Sequence, residues 1–180
     1  MPGRRAREGE TVEARLEDGV PQTAGWFVVN VRDAAWTHTE WFAVRSFGGQ
    51  GEAHFDDVGI NLYRLAPGKP MSLYHHEAGQ EDFLVLRGSC LAIVAGEERP
   101  MGPWDLLHCP PRTPHTIVAA GDEPALVLAV GARKERGSAR YPVDDVALRH
   151  GAGVERPTDS AAEAYAGRRE PRPGPAPDDL

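Results

Sequence analysis

Between residues 74 and 115 the chain gathers Tyr74, His75, His76, Glu77 and Glu81, followed by Asp105, Pro110 and His115. Neutral imidazole and carboxylate suit Fe, Mn, Ni or Zn, and two histidines with one carboxylate leave positions open for substrate, water or dioxygen. A structural zinc site would instead close its shell, typically with thiolates. Cys90 and Cys109 lack the paired spacing for that. The set therefore points to Lewis-acid or oxygen chemistry at one divalent metal ion. No Gly-rich phosphate loop and no Ser-His-Asp order stands out beside it.

Such ligands need strands to aim them. From residue 58 to 131 the chain is a series of short apolar runs, at 58–65, 72–77, 82–86, 90–95, 105–109, 115–119 and 125–130. Gly and Pro separate most of them, notably Pro67-Gly68, Gly88, Gly96, Pro110-Pro111, Gly121 and Gly131. Short strands at this spacing, without helical patterns between them, predict an all-β antiparallel sandwich or barrel. Residues 83–86 and 126–128 are apolar on both faces, so one face fills the barrel and the other packs on a second sheet or subunit.

The same residues resemble the cupin superfamily. Its first motif sets Gly, His-x-His, Glu and Gly in order, and here Glu81 followed by six residues and Gly88 matches the second half. Its second motif runs from Asp through Pro-x-Gly to His, on which Asp105, Pro110 and His115 fall in order. The resemblance covers roughly residues 58–131. It implies a double-stranded β-helix, the cupin or jelly-roll barrel, usually dimeric, with a metal held by two or three His and a Glu. Two departures stand out: Arg112 replaces the Gly of the second motif, and Ala119 stands where the family often has Asn. An Arg at a positive-φ turn costs about 1 kcal/mol.

The His-x-His is where the match breaks. Side chains alternate across a strand, so His75 and His76 cannot both face inward without a bulge. In one register Tyr74 and His76 face inward. In the other His75 and Glu77 do, together with Met71 and Leu73, which suit an apolar interior. The second is favoured. The expected metal ligands are then His75, Glu81 and His115, with Glu77 as fourth ligand or as catalytic base, its pKa raised by apolar surroundings. His76 replaces His75 in the alternative register. Asn61 can reach the pocket, His108 reads as a core residue or a support for the ligands, and His38 and His150 read as surface.

Composition bounds the rest. At 180 residues the chain fits one domain, and its formal charge of −7 and pI near 5.5 argue against nucleic acid or anionic membrane as partner. The basic residues near the two ends, Arg4, Arg5, Arg7, Arg168, Arg169 and Arg172, read as solvated tails. No apolar run has the length of a membrane span, and the basic start is not followed by the apolar core of a secretion signal. Two isolated cysteines fit a reducing compartment, with buried free thiols and a cytoplasmic location.

The expected organisation is a flexible arm over residues 1–23, with a first strand at 25–31, and a barrel domain over 24–150. An extension over 151–180 would carry a short helix at 160–166, with Ser160 as N-cap, before ten disordered residues. Trp36, Trp41, Phe42 and Phe47 would cover one end of the barrel, and residues 141–148 would cap it. The function expected is that of a metal-dependent enzyme acting on a small polar organic molecule, as dioxygenase, isomerase or decarboxylase, working as a homodimer. A non-catalytic small-ligand binder, sensor or carrier, is the rival.

Overall fold

Alternation and turn residues fix most of the strands seen in the computed structural model, which describes residues 12–133 and 139–180. A small hairpin, β1 (Leu16–Glu17) and β2 (Val20–Pro21), comes first, followed by β3 (Trp36–His38) and β4 (Phe42–Ser46). Then come β5 (Val58–Leu65), β6 (Glu81–Arg87), β7 (Cys90–Val94) and β8 (Glu97–Met101). The barrel continues with β9 (Leu106–Cys109), β10 (His115–Ala119) and β11 (Ala125–Ala132). Two short helices, α1 (Asp145–Arg149) and α2 (Ala161–Ala164), lead to a last strand, β12 (Arg172–Gly174).

All named strand pairs are antiparallel. Seven strands form one sheet in the order β12-β3-β4-β5-β11-β6-β9, and three form the facing sheet β10-β7-β8. Phe83 and Val85 of β6, Val127 of β11, Ala92 of β7 and Ile117 of β10 share one buried cluster, so both sheets contribute to a single interior. Apolar side chains spaced two apart on facing strands bury together because successive residues point to opposite faces. The strand pattern predicts an all-β antiparallel sandwich or barrel, and the architecture is one, in the jelly-roll form that the cupin resemblance implies.

The turns show why particular residues are where they are. Gly88 has φ +80, and a Cβ there would sit 2.8 Å from the Pro124 carbonyl oxygen, so the β6–β7 turn admits only glycine. Arg112 does adopt φ +65. Its backbone N–H donates to Glu77 O at 2.7 Å, a contact that ties the turn before β10 to the segment carrying Glu77.

Several elements depart from the sequence expectation. Residues 72–77 do not form a ladder; they touch β10 at the single bridge His75↔His115, with Pro70↔Val118 just before. Residues 25–31 make one bridge, Glu13↔Trp26, instead of a strand. β8 escaped notice because its residues, Glu-Glu-Arg-Pro-Met, are polar; it is an edge strand, where charge and proline are tolerated.

The ends are more ordered than their composition suggests. Residues 1–11 of the expected arm lie outside the described residues, but residues 16–21 form the hairpin. The buried Arg45 guanidinium holds this hairpin by donating to Gly19 O, and holds the loop before β3 by donating to Ala35 O at 3.1 Å. The final ten residues, expected to be disordered, instead lie across the outer face of the large sheet. β12 pairs with β3, Arg64 holds Asp179 at 3.2 Å, and Ala176 and Leu180 pack with Leu62, Leu86, Leu126 and Leu128. The apolar outer face that the sequence shows on β6 and β11 is thus partly covered by the chain's own tail. Trp36 belongs to this outer cluster, whereas Trp41 packs with Leu73 and Tyr141 under the C-terminal segment. The helix near residue 160 forms as expected, Glu163 N–H donating to Ser160 Oγ at 3.3 Å.

Removing residues 171–180 should uncover this apolar strip. The truncated protein is expected to bind an apolar dye and to melt several degrees lower, at about 2–4 °C per kcal/mol lost for a chain of this size. A melting curve and dye signal identical to those of the full chain would show that the tail contributes nothing to the sheet.

Candidate metal centre

His115 opens β10, Glu81 opens β6, and His75 lies in the segment bridged to β10. The histidines therefore come from the side of the smaller sheet and the carboxylate from the larger one. Reciprocal backbone bonds, His75 N to His115 O at 3.1 Å and His115 N to His75 O at 2.8 Å, set the two residues side by side. Their rings lie 5.3 Å apart. Tyr141 stacks on His75 at 5.7 Å and Phe83 packs on His115 at 5.1 Å, which restricts both rings.

Each ring is also oriented by a backbone carbonyl two residues earlier. His75 Nδ1 donates to Leu73 O and His115 Nδ1 to Thr113 O, both at 2.8 Å. Those bonds assign the proton to Nδ1 in the neutral ring and turn the Nε2 lone pair inward, as in metal-ligating histidines. Glu81 Oε2 lies 3.3 Å from His115 Nε2 and 4.0 Å from His75 Nε2. Two ligands each about 2.0–2.2 Å from a shared ion have separations of this order. The three ligand atoms all lie within 4.8 Å of one another.

Burial makes the arrangement informative. His115 is 2 % exposed, and neither its Nε2 nor Glu81 Oε2 has a hydrogen-bond partner among the described residues. Buried acceptors facing each other are unfavourable unless a proton or a cation lies between them. Burial, helped by the nearby Glu77 carboxylate, pushes the Glu81 carboxyl up to about 7. Burial also pushes the His115 imidazole down to about 4, and it lowers that of His75. All three groups are driven toward their neutral forms, the state in which imidazole can bind metal.

His75, not His76, joins the group; the His76 backbone instead pairs with Arg140. Glu77 stands beside the trio, its Oε1 3.9 Å from His75 Nε2 and its side chain 40 % exposed. The apolar surroundings expected around Glu77 surround Glu81 instead, because Glu77 lies in the loop before β6. His108 is an exposed outer-face residue, bonded to Asp82 at 2.6 Å, and neither a core histidine nor a support for the ligands. His38 and His150 bond to Pro175 O and to the Glu98 carboxylate, away from the centre. Cys90 and Cys109 are free and buried, as expected.

His75 and Glu81 open onto a cleft of about 260 Å³, with the buried His115 behind them. Asn61 and Tyr63 of β5, Phe83 of β6 and Met71 line it, as does Tyr165, which follows α2. Burial first, and then Tyr165 and the two glutamates, push the Tyr63 hydroxyl up to about 12, so it remains a donor. Sequence reading found Asn61 but missed Tyr63, although the two-residue spacing from Asn61 was a signal. Tyr165 comes from the extension beyond the barrel and carried none.

Residues 61–131 match a family model described as a cupin domain. No curated protein matches the chain. Among solved structures, a sugar phosphate isomerase of the cupin superfamily from Silicibacter pomeroyi is 30 % identical over 57 % of this chain and 66 % of its own, with a TM-score of 0.47. The chain thus spans just under two thirds of that protein. A polyketide cyclase from Streptomyces resistomycificus is 17 % identical over 54 % of this chain and 69 % of its own (TM-score 0.47). A cupin-like protein from Thermotoga maritima is 18 % identical over 55 % and 72 % (TM-score 0.44).

Two predictions follow from the geometry. His75→Ala should abolish binding of Ni(II), whereas His76→Ala should retain it, as read by elemental analysis of protein loaded with the metal. The reverse pattern would restore the other register.

The second concerns pH. Without an ion, folded Glu81 keeps its proton between about 4.5 and 7 while the unfolded chain loses it, so its contribution to stability falls as pH rises. Folded His115 lacks between about 4 and 6.5 a proton that the unfolded chain holds, so its contribution rises over that window. The two oppose each other. A metal must displace the Glu81 proton, so the rise in melting temperature on adding Ni(II) should be small at pH 5.5 and grow toward pH 8. A rise independent of pH would place the ion away from Glu81.

Proposed function

Residues 61–131 match a cupin-domain model, and we propose that the chain belongs to the cupin superfamily and is a metal-dependent enzyme acting on a small polar organic molecule. One divalent ion, Fe, Mn, Ni or Zn, would be held by His75, Glu81 and His115. The observation that carries this reading is the pair of buried acceptors, Glu81 Oε2 and His115 Nε2, 3.3 Å apart with no donor for either among the described residues. When bound, such an ion supplies Lewis acidity toward a substrate oxygen.

The protein's own groups divide the remaining work. Glu77, at the open side of the trio, is placed to take a proton from the substrate and return it, as an isomerase or decarboxylase requires. The Tyr63 hydroxyl and the Asn61 amide supply hydrogen bonds that orient the substrate. Met71 and Phe83 form an apolar wall that limits water. The cleft is smaller than the ~300–1,000 Å³ of drug-sized sites, which favours a compact substrate. Dioxygenation remains within the same reading, since the trio leaves coordination positions open.

One observation favours the rival, a non-catalytic binder: Glu77 is 40 % exposed, open to solvent instead of enclosed in the cleft. The expected homodimer would use the outer sheet face beside the tail, where Leu106 is 63 % and Trp104 75 % exposed. A cytoplasmic location accords with two free buried thiols. No helix of the described residues is long and apolar enough to cross a membrane.

Metal-loaded protein should consume a member of a panel of small hydroxy-, keto- and amino-compounds, and metal-stripped protein should not. Glu77→Gln is expected to keep the metal and lose about 10²-fold or more in turnover. Unchanged turnover in Glu77→Gln would remove Glu77 from the chemistry. Saturable binding with no conversion would favour the binder.

A further inference from the structure

One end of the cleft is built differently from the rest. Along β11 the cleft-facing positions are Ala129, Gly131 and then, just past the strand, Arg133, each two residues from the last. Gly131 pairs with Glu81 on one side and Gly59 on the other. A Cβ at Gly131 would lie 3.6 Å from Glu81 Cγ and 3.8 Å from its Oε1, so a longer side chain would cover the carboxylate. The small residues leave a path from the trio toward Arg133.

Arg133 is the one Lys or Arg among the described residues that line the cleft. Its backbone N–H donates to Asp57 O at 3.0 Å, which fixes the end of β11. Its guanidinium lies against Gly59, where a Cβ would stand 2.7 Å from Nε and 3.1 Å from Nη2. Any side chain at position 59 would displace it. His54 completes the support: Arg133 Nη1 donates to His54 Nε2 at 3.0 Å, and His54 Nδ1 faces Gly49 O at 3.4 Å. Arg133 Nη1 also lies 3.3 Å from His54 Nδ1, so it sits beside both ring nitrogens.

We propose that Arg133 is the oxyanion anchor of this cleft, so that the molecule it takes carries a carboxylate or a phosphate group. That group meets the guanidinium at one end, while another oxygen of the same molecule approaches His75, Glu81 and His115. The inference rests on reading the cleft as the substrate site, and it adds the class of substrate. Physically, a guanidinium pre-positioned over a glycine loses little freedom on meeting an oxyanion and brings a delocalised positive charge to it. Asn61 and Tyr63, on the neighbouring strand and facing the same space, would bond the uncharged part of the molecule.

The test is calorimetric titration of the full chain, at low ionic strength, with inorganic phosphate and with succinate as separate probes. Arg133→Gln and Arg133→Lys are titrated beside the unsubstituted protein. Saturable one-to-one binding of at least one probe is expected, and the probe that binds assigns phosphate or carboxylate. Arg133→Gln should weaken it by about tenfold or more, as loss of a charge-assisted hydrogen bond does. Arg133→Lys should fall between, since ammonium keeps the charge and loses the fork. Melting temperature without probe establishes that each variant folds; if the Gln variant does not, the weakening in the Lys variant decides. Equal affinity in all three proteins, or no saturable binding of either probe to the unsubstituted chain, overturns the anchor. Metal content of the same samples separates the two readings. Metal bound without Arg133-dependent anion binding removes this inference alone, and Arg133-dependent binding without metal removes only the metal.

Discussion

Two hydrogen-bond acceptors, Glu81 Oε2 and His115 Nε2, face each other at 3.3 Å inside the barrel, both buried and without a donor among the described residues. A carboxylate and an imidazole lone pair at that distance repel, and burial raises the cost because little solvent screens them. The molecule maintains the arrangement by fixing the histidine rings from behind, through the Leu73 and Thr113 carbonyls and through packing against Tyr141 and Phe83. Those restraints make the site rigid before anything binds. A cation meets both acceptors at once, whereas a proton on Glu81 satisfies them only in part.

The rest of the fold serves this convergence. Glu81 and His115 come from different sheets, so their meeting depends on the sandwich closing with Phe83, Val85, Val127 and Ile117 packed between the layers. The strand registers then place Gly131 opposite Glu81 and Gly59 opposite Gly131, which keeps one side of the carboxylate clear. The same alternation that buries the core on one strand position opens the cleft two positions further on. On the outer face, the C-terminal tail covers apolar residues of β5, β6 and β11 that would otherwise meet water.

What could be read from the chain alone depended on how local the cause was. β5 and β10 were legible to the residue because their apolar runs end at turn residues. Gly88 and Arg112 were legible as turn positions, and both have positive φ. His75 was separable from His76 only through the assumption that Met71 and Leu73 point inward, and the bridge to His115 agrees with it. The environment of Glu77 was misjudged because its exposure depends on where the loop before β6 lies. Arg133 lies past the strand and outside either motif, and its role comes from Gly59 and His54, distant in sequence. The tail read as disorder because its four prolines and few apolar residues form no periodic pattern. Its order comes from one strand pairing with β3, the Arg64–Asp179 ion pair and the terminal Leu180.

The most direct test is anomalous diffraction from crystals of the protein grown with Ni(II), collected on both sides of the metal's absorption edge. The account predicts one strong peak within bonding distance of His75 Nε2, His115 Nε2 and a Glu81 carboxylate oxygen. Fully loaded crystals that show no peak there, with Glu81 instead hydrogen-bonded directly to His115, would contradict it.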